Sequence, residues 1–440
     1  MNASNHFLLK AKHVVSMDEK ASLFSPGYVE IEGGTIKSTG STEDKVFSVE
    51  TIDYGDAAII PGLINSHNHA AMCLFRGIAD DLPLDEWLSG HIWPLEAKHL
   101  SPEFIRAGVR LAAVEMLKSG TTFFSDMYFF EHEAARAAKD AGIRIQLGEG
   151  LLAFPTPSAK NPEDTFKNIK EQYEKYRDDS LVHLSIACHS TYATTEDQLH
   201  RAAELASLWN LPVQIHCAET EKEAQESIAK RGKSQVAYLS EIGLLDTRIG
   251  LVHMVWPQEG DLDLLKKDNI GVVLCPQSNL KLASGIPPFG LYLKKGIRMS
   301  LGTDSAASNN NLDIWEEMRL AALLAKGSSL DPTSLSAKEA LRTVTIDAAR
   351  TWGIEAELGS IEVGKKADVV VVDLSRPHNT PSYDVYSTLV YAAGGSDVRD
   401  VYVEGRRVLK DGKVTGLDEA EVLKEARCWS KKIRDSRANV

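Results

Sequence analysis

Eight short apolar runs alternate with helix-forming stretches through the middle of this 440-residue chain. They span residues 60–67, 121–126, 143–148, 182–189, 213–217, 249–253, 271–275 and 299–304. The clearest intervening helix covers about 102–119. Ser101 can cap it, Pro102 suits its first turn, and Ile105, Val109, Ala112 and Met116 line one face before Gly120 ends it. Strand and helix alternating eight times predict an α/β fold, a (β/α)8 barrel of the TIM type. An open doubly wound sheet competes, but it gives no reason for histidines at the ends of so many runs.

The two ends of the chain resemble each other and differ from the middle. Phe7-Leu8-Leu9-Lys10 and Tyr28-Val29-Glu30-Ile31-Glu32-Gly33-Gly34 read as strands with a turn. So do Ala367-Asp368-Val369-Val370-Val371-Val372-Asp373 and Val401-Tyr402-Val403-Glu404-Gly405. The expected organisation is one small β-sandwich-like domain from 1–59 plus 358–420, a barrel over 60–357, and a C-terminal helix at 421–440.

Hydrophobic content of 43% and charged content of 25% are ordinary for a soluble globular chain. A net charge of −13 argues against nucleic acid or an anionic membrane as partner. The five cysteines form no C-x-x-C pair, so neither a disulfide framework nor a thiolate zinc knuckle is expected. Residues 1–10 carry no long apolar segment, and no stretch approaches a membrane span. These features point to a cytoplasmic protein acting on a small molecule, with a homo-oligomer (dimer or tetramer) expected.

The first run ends in Ser66-His67-Asn68-His69. Alternate residues of a strand share a face, so His67 and His69 point the same way. Two imidazoles on one face are half of a transition-metal site. Barrel enzymes place their chemistry at the carboxyl ends of the strands. His189, His216, His253 and Asp304 stand at such ends. His67, His69, His216 and Asp304 are the expected ligands, leaving one position for water. Three imidazoles and a carboxylate suit Zn²⁺, with Fe²⁺ and Mn²⁺ as alternatives. Residues 182–189 contain no lysine to bridge two ions, so one ion is expected. His253 reads as a fifth ligand or as a hydrogen-bond partner of the attacking hydroxide. Glu219 follows His216 by three residues and suits general acid/base work, whereas Glu221 and Glu223 read as acidic residues of a helix N-terminus. His183 falls at the wrong end of its strand, and His91, His99, His132 and His200 read as helix or loop surface.

Together these residues resemble the amidohydrolase superfamily, and within it the 5′-methylthioadenosine/S-adenosylhomocysteine deaminases. The resemblance runs nearly the whole length. It includes Leu74-Phe75-Arg76-Gly77-Ile78-Ala79-Asp80-Asp81 with Trp87, Ile92-Trp93-Pro94-Leu95-Glu96, Ser278-Asn279-Leu280-Lys281-Leu282 and Gly302-Thr303-Asp304-Ser305. It implies a metal-dependent deaminase in which Glu219 shuttles protons, His253 orients hydroxide, Glu96 binds ribose hydroxyls, His189 contacts substrate and Trp87 forms an aromatic wall. On residues alone, Trp87 and Trp93 read as core residues, and their functional role rests mostly on the resemblance.

One departure stands out. Family members that take S-adenosylhomocysteine carry an arginine after the third strand, where this chain has Glu149. A glutamate there would repel a carboxylate tail, so 5′-methylthioadenosine, adenosine or 5′-deoxyadenosine is the expected substrate. Alternative readings are an amidohydrolase acting on guanine or another aminated or chlorinated heterocycle, and a metal-free barrel serving as a scaffold.

Overall fold

The computed structural model describes residues 6–43 and 45–437. The barrel strands are β1 (Leu63–Asn68), β2 (Thr121–Asp126), β3 (Arg144–Leu147, resumed at Gly150–Leu151), β4 (Val182–Leu184, resumed at Ile186–Ser190), β5 (Val213–Cys217), β6 (Ile249–His253), β7 (Ile270–Leu274) and β8 (Met299–Leu301). Each pairs in parallel with the next, as a strand–helix–strand repeat requires. The ring closes where Asn68 bridges Asp304 in parallel and the Asp304 N–H donates to the His67 carbonyl over 3.1 Å. The predicted (β/α)8 barrel is therefore present.

The first and last strands are bounded differently from the sequence reading. Ile60 and Pro61 do not begin the first barrel strand. They end Ala57–Pro61, which pairs antiparallel with Val369–Asp373 in a seven-stranded sheet. The last run also stops early, at Leu301, because Gly302 and Thr303 form the seam rather than continue the strand.

The seven-stranded sheet explains the valine run 369–372. Alternate side chains take opposite faces. Val369 and Val371 pack with Leu9, Val29 and Ile31 of a four-stranded sheet, while Val370 and Val372 join the barrel core. The sheet is thus buried on both faces. Arg144, fully buried at the start of β3, grips Asp368 through two bonds of 2.7 and 3.0 Å and ties the barrel floor to this sheet. His183 lies beside that pair, away from the histidine cluster, as expected of a residue at the strand's opposite end.

Two helices matter for the site. Helix α1 (Trp93–His99) follows a wide helical turn at Trp87–Ile92 and carries Glu96. Helix α2 (Pro102–Lys118) matches its sequence reading, with the Ser101 hydroxyl accepting from Phe104 N–H. The C-terminal helix spans Glu419–Arg437 and packs on α2, where Phe104 meets Trp429 edge to face; expected helical residues 438–440 lie outside the described residues, as do residues 1–5 of the expected small domain.

Gly302 is required at the seam. A Cβ there would sit 2.6 Å from His67 N and 2.8 Å from His67 O. Gly302→Ala is expected to cost about 1–3 kcal/mol of stability through backbone displacement. A urea titration that found an unchanged midpoint would contradict this.

Candidate metal centre and substrate cavity

The strand alternation places His67 and His69 on one side of β1, with ring centroids 4.8 Å apart. His216 ends β5, and its Nε2 lies 3.2 Å from His67 Nε2. Asp304 Oδ1 lies 3.3 Å from His69 Nε2 and 3.7 Å from His67 Nε2. All four converge at the carboxyl end of the barrel. His253 joins them from β6, with its Nε2 3.8 Å from Glu219 Oε2. Candidate ligand atoms of His67, His69 and Asp304 lie within 4.8 Å of one another, as do those of His67, His216 and His253.

The proton positions decide what this cluster can hold. His216 Nδ1 faces the His189 carbonyl at 2.6 Å, and His69 Nδ1 faces the Met127 carbonyl. A carbonyl only accepts, so both Nδ1 atoms carry hydrogen and both Nε2 lone pairs point inward. Lone pairs and a carboxylate crowded at these distances repel unless a cation lies among them. The donor set therefore fits a divalent transition ion. His253 is different. Its Nδ1 lies 3.1 Å from Asn279 Nδ2, a donor, so its Nε2 carries the proton and faces the centre as a donor rather than a ligand.

The charge states of His67, His189, His216 and His253 agree with this arrangement. Burial, reinforced by neighbouring imidazoles, holds His67 and His216 well below the usual histidine range. Burial lowers His189 and His253 to about 4. His69 differs: burial pushes it down, but the hydrogen bond and charge of Asp304 carry it above its ordinary value, so a cation bound there would displace the Nε2 proton that Asp304 otherwise holds. Burial would raise Asp304, yet the histidines keep it well below the carboxylate range. Its Oδ2 accepts from Ser278 Oγ at 2.6 Å and Ser308 Oγ at 3.0 Å, which leaves Oδ1 to face the histidines.

Glu219 stands just beyond β5 and is 7% exposed. Burial, then the charges of Asp304 and Glu223, push its carboxyl well above the usual range. Its N–H donates to Glu223 Oε2 at 2.9 Å, so the glutamate read as a helix-terminus residue also fixes the Glu219 backbone. Ala218, His253 and Asp304 have φ of 51°, 76° and 57°. Left-handed backbone at three non-glycine positions costs energy and turns the strand ends toward one point.

A cavity of about 300 Å³ opens over this cluster. Its polar floor includes His69, His189, His216, Glu219, His253 and Asp304. Its walls include Leu84, Trp87, Leu88, Trp93, Phe154 and Tyr192. Glu96 enters from α1, and burial pushes its carboxyl up to about 7, even with Tyr128 donating to it. All the sequence-selected site residues gather here except that His67 lies behind the floor, fully buried. Trp93 also reaches the cavity, so it is not a core residue.

Glu149 is not where the sequence reading set it. It is buried away from the cavity, accepting from Ser158 Oγ (2.5 Å), Gln172 Nε2 (2.8 Å) and Glu131 N–H (3.1 Å). It therefore cannot repel a substrate tail directly. Nor do the lining residues include any lysine or arginine. Sequence reasoning missed Tyr128, Ser278, Asn279 and Ser308. Ser278 and Asn279 open a recognised sequence block, but nothing in one sequence says that Ser278 meets Asp304 and Asn279 meets His253.

The Amidohydrolase family model matches residues 58–408. The 5-methylthioadenosine/S-adenosylhomocysteine deaminase of Thermodesulfovibrio yellowstonii is 46% identical over 435 residues, covering 98% of this chain and 99% of that protein. The 5′-deoxyadenosine deaminase of Methanosarcina mazei is 40% identical over 421 residues, covering 95% and 96%. Among solved structures, an adenosine deaminase from Xanthomonas campestris with bound zinc superposes with a TM-score of 0.95 at 38% identity, covering 98% of each chain. The chain belongs to the amidohydrolase family.

Proposed function

We propose that this protein is a zinc-dependent hydrolytic deaminase that replaces the 6-amino group of a 5′-modified adenosine with oxygen. The observation that carries the reading is a set of inward lone pairs beside a buried glutamate, under an apolar cavity of nucleoside size. The names of its relatives favour an adenine nucleoside. His67, His69, His216 and Asp304 would hold one Zn²⁺. A bound ion of this kind lowers the pKa of water and so provides a nucleophile near neutral pH.

The chain's own groups do the rest. His253, through its Nε2–H, and Asp304 hold the incoming oxygen in line with C6. Glu219 carries a proton from the attacking water to ring N1, as a carboxyl with a raised pKa is suited to do. The second water proton leaves with the amino group as ammonia. Trp87 covers one side of the ligand, His189 contacts it from the floor, and Glu96 accepts hydrogen bonds from the ribose hydroxyls. Among the described residues, no helix is long and apolar enough to cross a membrane. We place the reaction in the cytoplasm.

Glu219→Gln is expected to lower turnover by a factor of about 10²–10⁴ while bound zinc remains. Absorbance assays paired with elemental analysis check this, and retained activity would remove Glu219 from the reaction.

An apolar wall without a cation favours a small uncharged 5′ group. We expect 5′-methylthioadenosine and 5′-deoxyadenosine to be turned over with higher kcat/KM than S-adenosylhomocysteine. Equal or better use of the homocysteine compound would reject this preference.

The Glu96 pKa of about 7 gives a pH dependence. As pH falls through 7 the carboxyl takes a proton and loses acceptor capacity. KM for ribosyl substrates should therefore rise on the acid side in the wild type and show a weaker rise in Glu96→Gln.

A further inference from the structure

Tyr128 has no role in the reaction described so far, yet it joins the barrel to the segment that covers the cavity. It lies two residues beyond β2. Its N–H donates to the Gly148 carbonyl at 3.1 Å, and its own carbonyl accepts from Gly150 N–H at 2.8 Å. These bonds pin its backbone to the middle of β3. The side chain is 4% exposed, and its ring packs 5.1 Å from Phe129. From this rigid base the phenol donates to Glu96 Oε1 over 2.6 Å.

Glu96 needs such a partner. It sits on α1, a helix of the cover rather than of the barrel wall, and its side chain has three rotatable bonds. Among the described residues, Tyr128 is the side chain that donates to its carboxylate. A carboxylate that must grip two adjacent hydroxyls loses affinity if it has to be ordered at the moment of binding. Fixing Oε1 orders the group beforehand and leaves Oε2 for the ligand. The bond also favours the ionised, accepting form against the burial that opposes it.

We infer that Tyr128 is a positioning residue for sugar recognition, holding Glu96 so that its free oxygen meets the hydroxyls of a ribosyl substrate. This rests on the reading of Glu96 given above. The test compares kcat/KM for adenosine and 2′,3′-dideoxyadenosine in the zinc-loaded protein. The ratio of the two reports hydroxyl recognition alone. Tyr128→Phe removes one oxygen and keeps the ring packing; unfolding midpoints read alongside verify that each variant is folded.

The ratio is expected to fall about tenfold in Tyr128→Phe, the size of one lost charge-assisted contact. In the double variant Tyr128→Phe/Glu96→Gln it should fall no further than in Glu96→Gln, because the two changes remove one interaction. A merely structural role would slow both substrates equally and leave the ratio unchanged, which overturns the inference. If Glu96→Gln loses the ratio while Tyr128→Phe keeps it, Tyr128 alone is excluded. If Glu96→Gln keeps it, the reading of Glu96 falls and the role of Tyr128 falls with it.

Discussion

The closure of β1 onto the end of β8 is the constraint on which the site depends. The Asp304 N–H donates to the His67 carbonyl, and Thr303 exchanges two hydrogen bonds with Asn65, joining the two segments that carry the first and last polar groups of the cluster. Gly302 lets the backbones approach closely enough to form the Asp304–His67 bond. Without this seam the histidines of β1 would lie at an open sheet edge. With it, groups far apart in sequence face one another across a few ångströms, and water is kept from the back of the cluster. His67, fully buried, is the clearest consequence.

Packing that many polar groups together is costly, and the surrounding bonds show how the cost is managed. Backbone carbonyls hold the outer nitrogens of His69 and His216, so each ring has a fixed tautomer and direction. Two serine hydroxyls occupy one oxygen of Asp304. Asn279 settles the proton of His253. Ser278 and Asn279 are adjacent on one short helix, Pro276–Lys281, directly after β7. A single turn of chain therefore orients both the aspartate and the histidine that flank the proposed attacking oxygen. Moving that helix would disturb both at once.

Much of this was legible beforehand because strand periodicity and barrel topology are simple rules. His67 and His69 share a face by alternation, and the strand-end rule collects His189, His216, His253 and Asp304 without knowledge of any contact. Long-range partners obey no such rule. Tyr128 reaches Glu96 only because the β2 loop and the covering helix meet in space. Glu149 shows the reverse error. Its place in the chain suggested a cavity residue, but β3 breaks after Leu147 and resumes at Gly150, and Glu149 turns inward to Ser158, Gln172 and the Glu131 backbone. Likewise, Ile60 and Pro61 read as barrel because they adjoin the histidine strand, although they lie opposite Val370 and Val369 in the seven-stranded sheet.

With Glu149 buried, the proposed selectivity falls to the cavity wall. A buried carboxylate with three donors exerts little direct repulsion on a ligand beyond the cavity wall. Under the proposed preference, what would disfavour a charged amino-acid tail is the wall itself. Leu84, Trp87, Leu88, Trp93 and Phe154 offer no charge to pair with it, and a carboxylate losing water against such a surface recovers nothing. A methylthio group loses nothing there and gains contact with the aromatic rings. Selectivity so arranged would come from the residues over the strand ends, while the proposed reaction would come from the strand ends themselves. The two can vary separately, except at Glu96, where the phenol of Tyr128 ties the covering helix to the barrel.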